Sequence, residues 1–418
     1  MRRRPRHRRT AFALLVPVAL VATLLIGAPA IPDASATPIR PDYSGSDLWL
    51  HYPKIEDPAL KKRYAKSATA VIVQNAGKNP VHRHTRDLPM EPGAQEHLVT
   101  TPLEAAKDEL ARGLNGLLGR KVPVHTKPGQ RIPDGAIVVG TPESSQIVRR
   151  HVDAEQLRDL GDEGYLIRSA SRGRHDFTLI AANSEIGALY GTFAFLRRMQ
   201  TQQPITDLDI TEKPRIAHRY LNYWETERLY AGNDATGTGG LNGENGAVFN
   251  FAATGESADR NLPLILDRYL VVARALASVG VNGITINNVN ADNAYLTREY
   301  VEQTAALADA LRPYGIKVGL SVKYTAPTDE RFAPDTLTED QLDPYGEEFR
   351  DWWHRKAKQI QEAIPDFIGF TVKANSEGQP GPQDFGYDHG DGANGIAAAL
   401  EPLGMTVYWR TFVYNADV

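Results

Sequence analysis

The run Phe367-Ile368-Gly369-Phe370-Thr371-Val372 leads directly into Lys373-Ala374-Asn375-Ser376-Glu377-Gly378-Gln379-Pro380-Gly381-Pro382. The first six residues are apolar and rich in β-branched and aromatic side chains, with Pro365 just before them, and they read as a buried parallel strand. A lysine, an asparagine and a glutamate stand where that strand must stop. Two glycines and two prolines within the next five residues then force a turn. A carboxylate at the C-terminal end of a buried parallel strand occupies the place where α/β barrels carry catalytic groups. A lone loop glutamate is ordinarily just solvated; the density of specialised residues around Glu377 sets this one apart.

The same rhythm surrounds the stretch. Residues 216–224, 283–287, 316–322 and a segment opening at Thr406 read as further strands. Helical patterns over 262–279, 297–311, 347–363 and 394–400 separate them. Gly280 is expected to stop the first helix and Thr297 to cap the second. Strands alternating with helices mean parallel βα units. Five strands and four intervening helices are expected here, and a closed barrel has eight strands.

Upstream, residues 37–205 read as a separate α/β domain. Ala70-Val71-Ile72-Val73 and Ala136-Ile137-Val138-Val139-Gly140 are expected strands, and 164–167 with 177–181 a strand pair. Apolar helices are expected over 102–118 and 186–199. No catalytic set assembles in this part, so it is read as a supporting domain. Residues 201–214 are the expected linker, and 206–418 the barrel portion.

The N-terminus is Met1-Arg2-Arg3-Arg4-Pro5-Arg6-His7-Arg8-Arg9, followed by an apolar run and then Ala34-Ser35-Ala36. A basic head, an apolar middle and an Ala-x-Ala site make residues 1–36 an expected secretory signal peptide, and the product an exported, extracellular protein. The chain has 418 residues, no cysteine and a net charge of −4. Removing 1–36 takes away six arginines and one aspartate, leaving a mature charge of about −9. That balance argues against a nucleic-acid partner. The lack of cysteine excludes thiol nucleophiles, thiolate zinc sites and iron–sulfur clusters. No cofactor or metal is expected. Asp384, Asp388, His389 and Asp391 lie close together, and the reading preferred for them is turn-shaping before the next helix.

Each expected barrel strand ends in polar residues: Asn222-Tyr223-Trp224-Glu225, Asn287-Asn288-Val289-Asn290-Ala291-Asp292, Lys323-Tyr324, Lys373 with Asn375 and Glu377, and Arg410. Such recurrence in phase with strand ends points to one convergent site. Asparagines pair with sugar hydroxyls, and an aromatic ring packs on a pyranose face. Lys373 and Arg410 add positive charge suited to an anionic sugar. Core packing for Trp224 and a structural ion pair for Arg410 stay open as alternatives.

Lys373-Ala-Asn-Ser-Glu377-Gly-Gln-Pro-Gly-Pro, Asn287-Asn-Val-Asn-Ala-Asp292, Arg312-Pro-Tyr-Gly-Ile316 and Trp409-Arg410-Thr-Phe-Val-Tyr414 resemble glycoside hydrolase family 67, the α-glucuronidases of xylan breakdown. The resemblance runs from about Ser46 to the last residue. It implies a β-sandwich-like α/β N-terminal domain, a (β/α)8 TIM barrel and a helical C-terminal domain that mediates dimerisation. The implied reaction is inverting hydrolysis of the α-1,2 bond that joins (4-O-methyl)glucuronic acid to xylo-oligosaccharides, the implied partners being glucuronoxylan-derived oligosaccharides. Glu377 matches the family's general acid, Lys373 and Arg410 match residues that hold the uronate, and Trp224 matches an aromatic that packs on the sugar. Asn288 and Asp292 complete the expected substrate-binding set. Trp224-Glu225-Thr226-Glu227 departs from the family's Trp-Asp-Asn stretch, and the long Gly- and Asn-rich loop 233–250 is expected to lie over the site. The family's base carboxylates lie on later strands, so this chain is expected to be the N-terminal part of the enzyme and inactive alone. A non-catalytic uronic-acid-sugar binding protein and a barrel hexosaminidase are the competing expectations.

Overall fold

The computed structural model describes residues 48–78, 98–129, 131–222, 267–287, 289, 293–376 and 378–411. The expected signal segment, the loop 233–250 and the site residues Trp224, Asn288, Asp292 and Glu377 lie outside them.

The first sheet grows from α1 (Pro58–Ser67), β1 (Val71–Val73), α2 (Pro102–Leu118), β2 (Val124–His125), β3 (Ala136–Gly140), α3 (Gln146–His151), α4 (Ala154–Asp159), β4 (Tyr165–Arg172), β5 (His175–Ala182), α5 (Glu185–Gln200) and β6 (Asp209–Glu212). Its strand order is β2-β1-β3-β5-β4-β6, with β2, β1, β3 and β5 parallel and β4 antiparallel to both its neighbours. Strand alternation divides its apolar side chains cleanly. Val71, Val73, Ile137, Val139 and Ile180 join the core that contains α2 and α5, whereas Ile72, Val138, Leu179 and Ala181 face Val148 of α3 and Leu157 of α4. Local signals set the helix ends: the Thr101 hydroxyl accepts from Glu104 N, Pro102 opens α2, and Gly119 at φ +61° closes it. Among the described residues the N-terminal strands make this one mixed sheet with helices on both faces, in keeping with the expected α/β domain. The expected linker 201–214 is corrected in part, because β6 falls within it and pairs with β4 as the sheet's edge.

The second sheet is all parallel, in the order β7-β8-β9-β10-β11. It runs β7 (Tyr220–Asn222), α6 (Asp267–Ser278), β8 (Gly283–Thr285), α7 (Arg298–Leu311), β9 (Lys317–Lys323), α8 (Glu347–Ala363), β10 (Gly369–Lys373), α9 (His389–Leu400) and β11 (Thr406–Arg410). These are the five strands and four helices expected. β7 is shorter than its sequence pattern: Ile216, expected to start it, is 66% exposed and precedes it. The Thr297 hydroxyl donates to Ala294 O at 2.7 Å and makes no cap to α7. α9 starts at His389, five residues before the expected start, because Asp388 and Asp391 form a capping box.

The sheet is strongly curled. The rings of Tyr220 on β7 and Tyr408 on β11, the first and last strands, lie 5.3 Å apart across its concave face. That closure is the wall of a partial barrel. Gly283 lies beside Tyr220 in the pairing, and a Cβ there would overlap the tyrosine ring. Gly369 opens β10 at φ +115°, and a Cβ there would overlap the Thr406 carbonyl oxygen of β11. Gly369→Ala is therefore expected to cost about 3 kcal/mol from backbone strain alone, read as a lower urea midpoint at unchanged slope. A midpoint within error of the wild type would refute that account of β10.

Candidate active site at the carboxyl ends of the barrel strands

The register of β9, β10 and β11 decides which side chains meet. Phe370 packs on Trp353 of α8 at 5.5 Å, and Trp409 Nε1 donates to His389 Nδ1 of α9 at 3.1 Å. Both therefore point outward to the helices. Alternation then turns Thr371 and Lys373, and Tyr408 and Arg410, to the concave side. Lys373 is directly paired with Lys323 on one flank and with Arg410 on the other. One layer deeper, Ser321, Thr371 and Tyr408 form the corresponding row. Lys373 is fully buried, and Arg410 is half-buried at the end of β11.

The loop after β10 is held by its own side chains. Ser376 and Gln379 exchange backbone hydrogen bonds, with Gln379 N to Ser376 O at 2.9 Å and Ser376 N to Gln379 O at 3.2 Å. Between them in the chain stand Glu377, outside the described residues, and Gly378 at φ +74°. Asn375 adopts the left-handed conformation at φ +49°. Its Nδ2 donates to Asp384 Oδ2 at 2.6 Å, and its Oδ1 accepts from Gln383 N. Gly381 N also donates to Asp384 Oδ2, and Gly381 sits so close to Asn375 that any Cβ would overlap it. Asp384 thus braces this loop, and Asp388 and Asp391 cap α9. This is the turn-shaping role preferred for the Asp cluster.

The neighbouring strand ends add polarity and aromatic walls. Asn287 was expected at the site, but its carboxamide completes the backbone ladder of β9: Nδ2 donates to Ser321 O at 2.9 Å and Oδ1 accepts from Ser321 N at 2.7 Å. Tyr324 N donates to Lys373 O, tying the loop after β9 to β10. Burial pushes the Tyr324 phenol well up, so it stays neutral, and its hydroxyl donates to Leu342 O at 2.8 Å. On the rim, Tyr345 donates to Asp391; that bond raises the phenol's pKa and lowers the carboxyl's.

The arrangement gathers positive charge at the sheet's carboxyl end, which suits an anion. Of the expected site residues, Lys373 and Arg410 are brought side by side. Lys323, expected at a strand end but not among the substrate contacts, is placed by β9 in the same row.

The profile of the Glycosyl hydrolase family 67 middle domain matches residues 198–418, and that of the Glycosyl hydrolase family 67 N-terminus matches residues 79–195. The chain is similar to Alpha-glucuronidase A of Emericella nidulans, 32% identical over 400 residues, covering 95% of this chain and 40% of that protein. It is similar also to Probable alpha-glucuronidase A of Aspergillus terreus, 33% identical over 327 residues, covering 76% of this chain and 34% of that protein. With Alpha-glucuronidase of Hypocrea jecorina it shares 30% identity over 373 residues, covering 89% and 39%. The chain thus spans between about a third and two fifths of the length of these relatives. Two family domains matched in order along the chain, the second over more than half of it, establish that the chain belongs to glycosyl hydrolase family 67.

Proposed function

We propose that the complete polypeptide carrying this chain is an α-glucuronidase. It hydrolyses the α-1,2 bond of glucuronoxylan-derived oligosaccharides with inversion and releases (4-O-methyl)glucuronic acid. The observation that carries this reading is the pairing of Lys373 with Arg410 on the concave face, at the mouth of the loop that bears Glu377. Arg410 grips the uronate carboxylate with parallel N–H bonds and Lys373 adds a third donor. Glu377 protonates the departing xylose oxygen. Trp224 packs on the sugar face, and Asn288 and Asp292 pair with its hydroxyls. Inversion needs a second carboxylate about 6.5–9.5 Å from the acid, with the attacking water between them. The resemblance assigns that base to strands later than β11.

The same reading places the enzyme outside the cell, exported by residues 1–36, and as a homodimer. Among the described residues no helix is long and apolar enough to cross a membrane. It also takes the first sheet, with β6 as its edge, as the supporting domain and the chain from β7 onward as barrel.

The test is the anomer first released. Proton NMR of a fresh digest of aldouronic acids is expected to show β-glucuronic acid before mutarotation. First release of the α anomer rules out inversion, and no release at all rules out the activity.

A further inference from the structure

We propose that Lys323 is a third cationic contact to the uronate carboxylate, beside Lys373 and Arg410. This rests on the reading of the site given above.

Lys323 closes β9 in direct register with Lys373, which is in register with Arg410, so three cations form one row across three adjacent strands. The row shares its face. Val322, Val372 and Trp409 are the preceding row, and the outward packing of Trp409 on α9 fixes the alternation. Lys323 is only 7% exposed. Among the described residues its ammonium has no hydrogen bond or ion pair. Burial pulls its pKa down, and Asp329 opposes that from a distance. Asp329 is itself engaged, accepting from Asn293 Nδ2 at 3.1 Å and from Arg331 N at 3.0 Å, with Arg331 Nε 3.4 Å away.

Like charges directly opposite each other on a sheet face destabilise it. A buried lysine without a partner is costly, and a bound anion offsets that cost for Lys323. The donor count fits one carboxylate. It offers about four lone-pair positions, of which a bidentate arginine takes two and two lysines the rest. The reach fits too. Neighbouring strands lie about 4.8 Å apart, so a carboxylate above Lys373 is close enough for both flanking side chains.

The experiment is calorimetric titration of the complete polypeptide with glucuronate and with its neutral methyl ester, for the wild type, Lys323→Met, Lys323→Arg and Arg410→Met. Lys323→Met is expected to weaken glucuronate about tenfold, the low end for a hydrogen bond to a charged group. It should leave the ester unchanged, and Lys323→Arg should recover most of the loss. A folded Lys323→Met protein that binds glucuronate like the wild type overturns the inference. So does an equal loss for the ester, which would mark a merely structural lysine. If Arg410→Met alone abolishes the preference for glucuronate, Lys323 is excluded while the reading of the site stands. A wild type with no preference for glucuronate over its ester removes both. Should Lys323→Met fail to fold, the wild-type NMR signal of the Lys323 Cε–H group, identified from its loss in Lys323→Arg, decides. Displacement by glucuronate and not by the ester supports the contact, and no displacement overturns it.

Discussion

Glu377→Gln in the complete polypeptide is expected to slow release of glucuronic acid from aldouronic acids by about 10²–10⁴-fold, the usual contribution of a general acid. Glutamine keeps the side chain's size and polarity but has no proton to give to the departing xylose oxygen. Among the described residues the surrounding loop is braced by the Ser376–Gln379 backbone pair and the Asn375–Asp384 bond, and the variant is expected to fold and still bind the uronate. A glucuronyl fluoride, whose leaving group needs no proton, should lose far less activity than the natural substrate. That contrast separates a lost acid from a distorted site. Undiminished release from aldouronic acid by Glu377→Gln would remove Glu377 from the mechanism, and an equal loss on both substrates would point to damaged binding.

The second large effect concerns how the barrel wall is anchored. Arg274 on α6 and Glu109 on α2 are almost fully buried, at 1% and 3% exposure. Arg274 Nε donates to Glu109 Oε2 at 2.9 Å and Nη2 to Oε1 at 3.1 Å, while Tyr52 OH donates to the same Oε1 at 2.6 Å. Burial, then the Glu109 charge, push the Tyr52 phenol well up, keeping it the proton donor in that bond. Glu109→Ala removes the bidentate carboxylate partner of a buried guanidinium and is expected to cost about 3–5 kcal/mol, measured as loss of unfolding free energy in urea. Replacing these three residues together with apolar ones, Glu109→Leu with Arg274→Met and Tyr52→Phe, should recover most of that loss, because the buried Arg274 charge goes with its partner and the part-exposed Arg112 can turn to solvent. A loss below about 1 kcal/mol for Glu109→Ala would mean that water reaches Arg274, and the joint would be no anchor at all.

Much of this protein was legible from local chemistry. The alternation of β-branched runs with amphipathic helices located five barrel strands and the helices between them. Short-range signals such as Thr101-Pro102 and the glycines 119 and 280 marked helix ends, because caps and left-handed turns are satisfied within a few residues. The cluster around Lys373 and Glu377 was recognisable for the same reason: unusual residue types stand together in the chain. Where a short-range signal had two local solutions it misled. Thr297 bonds back to Ala294, and Asp388 with Asp391 starts α9 early.

Tertiary structure alone decided what depends on pairing between distant segments. β6 carries no apolar pattern, and three of its four residues are exposed; it is a strand only because β4 offers an edge to pair with. Asn287 turns to the β9 backbone, 34 residues away, and Arg274 meets a glutamate 165 residues before it. The row of Lys323, Lys373 and Arg410 exists only through strand register. A shift of one residue would send Lys323 outward to the helices, because side chains alternate along a strand. Register is set by the packing of whole βα units on the curled sheet, an energy summed over many contacts far apart in the chain, and no short stretch of sequence carries it.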